Sequence, residues 1–177
     1  MNGLNPALED VRFCPRCRAD ADIAYPRSII CPACGYAAFY NPKPVACAVV
    51  ATPEGVLLMR RGFEPRRGHW SMPGGFVDLG ESVEGAAIRE VEEELHLRVE
   101  LTHLIGVYSR PQDRTVGVVY AATTTGTPSF TEEALEVRAF APTDIPWQDL
   151  AFWSDERALS DHLGGSGAGF SSRPVRS

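Results

Sequence analysis

Three glutamates, Glu90, Glu93 and Glu94, crowd into the segment GFVDLGESVEGAAIREVEEELHL, Gly75–Leu97, which holds six glutamates and one arginine, Arg89. Carboxylates so placed can move protons or ligate hard cations. At about 100° per helical residue, Glu90, Glu93 and Glu94 fall within an arc of about 100°, while Glu92 projects elsewhere. That crowding opposes the helix. Like charges at i, i+4 cost about 0.2–0.5 kcal/mol per pair, and acids near a helix C-terminus oppose its dipole. A merely solvated acidic face would intersperse lysines, and this segment has none. Hard oxygen donors at this spacing suit Mg²⁺ or Mn²⁺. Pro73-Gly74-Gly75, just upstream, leaves its backbone unscreened, so a carbonyl there, Gly74 foremost, is a further candidate ligand.

A second metal chemistry is written in the cysteines. Of the five, Cys14 and Cys17 (CPRC) and Cys31 and Cys34 (CPAC) form two pairs of identical spacing, 13 residues apart. Each pair suits a tight turn that aims two thiolates at one ion, and together they complete a tetrahedral four-sulfur zinc site. Such a closed site is structural. Gly35 supports the second turn by tolerating positive φ. Cys47, in the apolar run VACAVVA, reads as a buried strand residue.

Ser82 is an N-cap, and Ala87, Val91 and Leu95 recur at four-residue steps to give the helix 82–95 an apolar stripe that sets the glutamates at its edge. The runs VACAVVA, GVLLMRR, LTHLIGVYS, VGVVYAATTT and EVRAFAP read as strands, and SDERALSDHL as a second helix. Strands on both sides of one strong helix predict an α/β (α+β) mixed sheet. The expected organisation is a flexible tail at 1–10, a zinc module at 11–40, a main domain at 41–163 and a disordered Gly/Ser-rich tail at 164–177. A net charge of −6 supplies no diffuse attraction for nucleic acid or membrane. No apolar run approaches the ~20 residues of a membrane span, and the first residues lack signal-peptide character, so a cytoplasmic location is expected.

Gly75, five residues, Glu81, seven residues, then Arg89-Glu90-Val91-Glu92-Glu93-Glu94 resembles the signature of the Nudix hydrolases, Gx5Ex7REUxEExGU. The one departure among its defined positions is His96, which stands where the family has a helix-ending glycine. Histidine visits the left-handed region more readily than most residues, so the change costs stability without removing a ligand. The resemblance implies an α/β/α sandwich behind an N-terminal zinc ribbon, and hydrolysis of a nucleoside diphosphate linked to another moiety. It implies further that Glu90, Glu93 and Glu94 bind the catalytic metals with the Gly74 carbonyl, that Arg89 orients the carboxylates, and that Glu81 contacts a metal-bound water or assists as a base. Family members often take a base from a later loop. FTEEALE offers Glu132, Glu133 and Glu136; the sequence does not choose among them, and Glu133 is carried forward as the candidate.

The paired cysteine turns ahead of such a domain are similar to NADH pyrophosphatases, but SRPQDRTVG, Ser109–Gly117, keeps only the serine and proline of their SQPWPFPxS array. The stretches CPACGYAAFYNPKPVACAVV, GHWSMPGGFVDLGES and ALEVRAFAPTDIPWQDLAF resemble zinc-ribbon Nudix proteins classed as FAD and ADP-ribose pyrophosphatases. ADP-ribose or FAD is therefore the expected substrate class, with NADH, a NAD-capped RNA end or a non-catalytic nucleotide sensor as alternatives. The partner expected is a small nucleotide, with no membrane and no nucleic acid, and a homodimer is left open. Tyr40, Phe76 and Tyr108 are candidates for stacking on a base, Arg60, Arg61, Arg66 and Arg67 for a phosphate contact, and Trp70, Trp147, His69 and His103 read as structural.

Overall fold

The computed structural model describes residues 4–129 and 131–164. The chain divides into two units, Met1–Lys43 with Arg110–Thr115, and Pro44–Ser109 with Val116–Ser177. In the first, β1 (Asp22–Ala24), β2 (Ser28–Ile30) and β3 (Ala37–Phe39) form an antiparallel sheet in that order. The two cysteine turns repeat one geometry. The Cys14 N–H donates to the Ala19 carbonyl and Arg18 N–H to that of Cys14; likewise Cys31 N–H donates to Tyr36 and Gly35 N–H to Cys31. The residue after each second cysteine is left-handed, Gly35 at φ 69° and Arg18 at φ 63°. Gly35 adopts this at no steric cost, whereas Arg18 gives up about 1 kcal/mol. Residues 4–10, read in the sequence as part of a flexible tail, make a short turn, Pro6–Leu8, in which Leu8 is buried and Asn5 Nδ2 donates to the Pro26 carbonyl at 2.7 Å.

The second unit is built on β4 (Lys43–Thr52), β5 (Gly55–Arg61), β8 (Glu100–Tyr108), β9 (Thr115–Thr123) and β10 (Ala134–Phe140), ordered β10-β5-β4-β9-β8. Two short strands unmarked in the sequence, β6 (Trp70–Ser71) and β7 (Gly74–Phe76), pair with β5 and β4 respectively. Helix α1 (Val83–Leu95) carries the signature, and α2 (Trp153–Leu163) follows β10.

The continuous apolar runs of the central strands have a simple cause. Successive strand residues face opposite sides, so a strand covered on both faces must be apolar throughout. Ala48, Val50, Leu57 and Met59 pack with Val91 and Leu95 of α1, while Val49, Val56 and Leu58 pack with Ala158 and Leu159 of α2. The result is an α/β/α sandwich. Among the described residues no helix is long and apolar enough to cross a membrane.

Both ends of α1 follow from their residues. Ser82 Oγ accepts the Gly85 N–H at 3.0 Å as N-cap. His96 takes the left-handed C-cap at φ 52°, its N–H donating to Glu92, and its ring Nδ1 lies 2.8 Å from Ser129 Oγ. The Ser129 N–H and the Thr131 hydroxyl then bond the carbonyls of Leu95 and Glu94 that the helix end leaves without an intrahelical partner. Of the tail expected at 164–177, Gly164 ends α2 and the remainder lies outside the described residues.

Candidate active site

Because α1 turns Val91 and Leu95 into the core, Glu90 and Glu94 are drawn to the margin of its buried face. Glu94 is 1% exposed, and its Oε2 accepts the Gly74 N–H at 2.8 Å. Glu90 lies against the strand itself: a Cβ added to Gly75 would sit 2.3 Å from Glu90 Oε1 and 2.5 Å from Oε2. Gly74 is constrained from the other side, where an added Cβ would fall 2.5 Å from both the Ala46 carbonyl oxygen and Cys47 Sγ. The double glycine thus fits β7 between a neighbouring strand and a carboxylate.

Arg89 is the hub. Its Nη2 and Nε donate to Glu81 at 2.8 and 3.1 Å, its Nη1 to Glu90 and Glu93 at 2.8 and 2.9 Å, and Nη2 also to the Phe76 carbonyl at 3.0 Å. A planar fork with five donors can tie three carboxylates where a lysine could not. Hydrogen bonds from Arg89 and the Asp78 N–H hold Glu81 below the usual carboxylate range, so in this arrangement Glu81 is an ionised anchor for Arg89.

The other carboxylates are pushed the opposite way. Burial raises Glu90 against the pull of Arg89. Glu94 is raised to about 8 by burial, with Glu90 and Glu133 adding like charge and the Gly74 N–H and Arg61 opposing. Ionising Glu94 together with its neighbours therefore calls for added positive charge, and hard oxygen donors match Mg²⁺ or Mn²⁺ in kind. Among the described residues, only the four cysteines bring three or more ligand atoms within 4.8 Å of one another. The guanidinium of Arg89 instead takes oxygens of Glu81, Glu90 and Glu93 as its partners.

Of the three later glutamates, Glu133 is the one whose charge bears on Glu90 and Glu94. Its N–H donates to Thr131 Oγ1 at 3.2 Å, and Thr131 in turn bonds the Glu94 carbonyl, so one threonine ties this loop to the end of α1. The Gly62 N–H holds the Glu133 carbonyl at 2.8 Å. Glu136 instead lies 3.5 Å from Arg60 on the paired strand.

Elsewhere the candidates separate. Tyr108 is no stacking platform, because it is buried in the core with its hydroxyl donating to Asp161 at 2.9 Å. Phe76 is exposed on β7 beside the carboxylates, and Tyr40 belongs to the first unit. Arg60 stacks over Trp70, and Arg61 is buried between Phe63 and Phe152, its Nε donating to Pro65. Arg66 and Arg67 are exposed. Trp70 is core, Trp147 packs partly buried against it, and His69 Nδ1 lies 2.9 Å from Asp149. The sequence treats Arg61 as one of four equal arginines; only its burial beside Glu94 distinguishes it.

In the first unit, Cys14 and Cys34 Sγ are 3.7 Å apart and Cys17 and Cys31 Sγ 3.6 Å apart. Zn–S bonds of about 2.3 Å imply a tetrahedral edge of about 3.8 Å, so the four sulfurs fit one zinc ion. Against desolvation, backbone N–H groups of Cys17 and Arg16 bring the Cys14 thiol down to about 7.

The NUDIX domain family model matches residues 41–163. The chain is 29% identical over 133 residues to an ADP-ribose pyrophosphatase of Methanocaldococcus jannaschii, covering 72% of this chain and 77% of that protein. It is 35% identical over 102 residues to a NAD-capped RNA hydrolase of Pseudomonas aeruginosa, where the match takes in 56% of this chain and 36% of the other. A crystal structure of a NUDIX hydrolase from Nitrosomonas europaea superposes with a TM-score of 0.77 at 32% identity, over 88% of this chain and 94% of that one. With its signature helix, its sandwich and its double glycine all inside the matched span, the chain belongs to the Nudix hydrolases.

Proposed function

We propose that this Nudix hydrolase is a metal-dependent pyrophosphatase that splits a nucleoside diphosphate linked to another moiety, ADP-ribose before FAD, into a nucleoside monophosphate and a phosphorylated product. The observation that carries it is the buried Glu94, held by the Gly74 N–H beside Glu90 and raised by burial and by the like charge of Glu90 and Glu133. Glu90, Glu93 and Glu94 would hold Mg²⁺ or Mn²⁺, joined by the Gly74 carbonyl. Divalent cations held there supply neutralisation of the diphosphate and acidify water. Arg89 fixes the carboxylates through Glu81, and Glu133 takes the proton of the attacking water as it approaches phosphorus in line. The four cysteines hold a structural zinc. ADP-ribose is favoured because the pyrophosphatase named for it aligns over 77% of its own length.

The test is a chromatographic product assay with Mg²⁺ or Mn²⁺ against ADP-ribose, FAD, NADH and a nucleoside triphosphate, beside Glu94→Gln. AMP from ADP-ribose or FAD, made by the parent and not by the variant, supports the reading. Pyrophosphate released from the triphosphate, or cleavage of NADH alone, would replace the substrate. No metal-dependent product from any of the four would remove the pyrophosphatase reading.

A further inference from the structure

Asp155 is a carboxyl the hydrolytic reading does not use, and it is 2% exposed. It stands in the first turn of α2, where Oδ2 accepts the Phe152 N–H at 3.1 Å as a helix cap. A cap needs no more than that and is ordinarily wet. Asp155 also meets the end of β6 and the residue after it: the Ser71 hydroxyl, shared with the Met72 carbonyl at 3.0 Å, lies 3.4 Å from Oδ1, and the Met72 N–H bonds the carboxyl as well. Burial pushes this acid up to about 7, against those bonds and Arg61, so retaining it in the interior opposes stability.

What the carboxyl grips leads straight to the site. Met72 is followed by Pro73, whose ring fixes φ and whose carbonyl accepts the Ala48 N–H at 3.1 Å, and then by Gly74, whose N–H holds Glu94. Few soft torsions separate Met72 from the Gly74 N–H. We propose that Asp155 is a positioning residue for hydrolysis: by holding Ser71 and Met72 it fixes the Gly74 N–H, which sets the orientation of the Glu94 carboxylate. The proposal rests on the reading of Glu94 as a metal ligand. A group that orients a ligating carboxylate acts on the metal's affinity and on turnover, with losses of about 10–100-fold when it is removed.

Helix α2 does not depend on this carboxyl for its place. Ala158 and Leu159 are fully buried, Trp153 meets the Tyr108 ring edge-on, and Tyr108 bonds Asp161. Asp155→Asn keeps one oxygen for Phe152 but turns a donor toward β6, whereas Ser71→Ala leaves the cap intact and removes one link to β6.

The experiment measures Mn²⁺ affinity of the free proteins by counting unbound Mn²⁺ with electron paramagnetic resonance, beside kcat, KM for ADP-ribose, zinc content and melting temperature. Parent, Asp155→Asn, Ser71→Ala and Glu94→Gln are compared. Asp155→Asn is expected to weaken Mn²⁺ binding and lower kcat about tenfold with KM nearly unchanged, and Ser71→Ala to move both the same way by less. Parental Mn²⁺ affinity in both variants would reduce Asp155 to a helix cap. If Asp155→Asn does not fold, Ser71→Ala decides alone, since parental affinity there overturns the proposal. A parent whose Mn²⁺ binding is no tighter than that of Glu94→Gln removes the ligand reading, and this proposal with it.

Discussion

Replacing Gly75 with alanine tests the site at its tightest point. The added methyl would lie 2.3 Å from Glu90 Oε1, while ordinary contact begins near 3.4 Å, so the carboxylate must retreat by roughly 1 Å. The obstruction is the far end of a flexible side chain, so the strand can stay in place and the helix need not unwind. Retreat breaks the 2.8 Å bond from Arg89, which costs about 1–2 kcal/mol. For a chain of this size that is a fall of a few degrees in melting temperature. The catalytic consequence is larger, because a misplacement of about 1 Å among reacting groups can cost 10²-fold in rate. Gly75→Ala should therefore melt cooperatively a few degrees below the parent, keep its zinc, and lose about 10²-fold in kcat for metal-dependent hydrolysis of ADP-ribose. Gly117→Ala is the control, since its methyl would meet its nearest neighbour at an ordinary 3.7 Å. A folded Gly75→Ala with parental kcat would refute the placement of Glu90 as decisive for turnover.

Glu94 sits at about 8 in the folded chain against 4.5 when unfolded, so between those pH values the folded state holds the extra proton and stability falls as pH rises. In buffer without added divalent cation, Glu94→Gln should flatten that decline in urea midpoints, with Asp155, raised to about 7, contributing a slope of the same sign in both proteins; superimposable pH profiles would refute the burial argument. Cys31→Ser should abolish zinc content measured by elemental analysis, and full zinc occupancy in that variant would dismiss the four-sulfur site. Glu133→Gln should lower kcat by about 10²–10⁴-fold, while Glu132→Gln and Glu136→Gln stay near the parent; equal losses in all three would show that charge rather than proton transfer is at stake.

What the sequence reveals and what it withholds divide along a physical line. The five long strands and the helix are legible because their signal is periodic and local: an apolar run covered on two faces, or a stripe at four-residue steps behind Ser82, is written in neighbouring residues. Glu90, Glu93 and Glu94 are legible for the same reason, as one helix places all three. The residues that decide their orientation are not local. Gly75 reads as a permissive turn glycine, yet what it provides is room for Glu90, fifteen positions on. Glu133 is indistinguishable in sequence from Glu132 and Glu136, and is distinguished by Thr131, which ties its loop to the last turn of α1. Tyr108 looks like a cleft aromatic until α2 covers it and offers Asp161. Asp155 carries no signal in the sequence, because its meaning lies in Ser71, 84 residues away. Chemistry that needs a residue type is written in a motif; chemistry that needs a direction is written in the contacts between motifs. Substitutions of the first kind should therefore remove activity outright, and those of the second kind should leave a folded, metal-binding but slower enzyme.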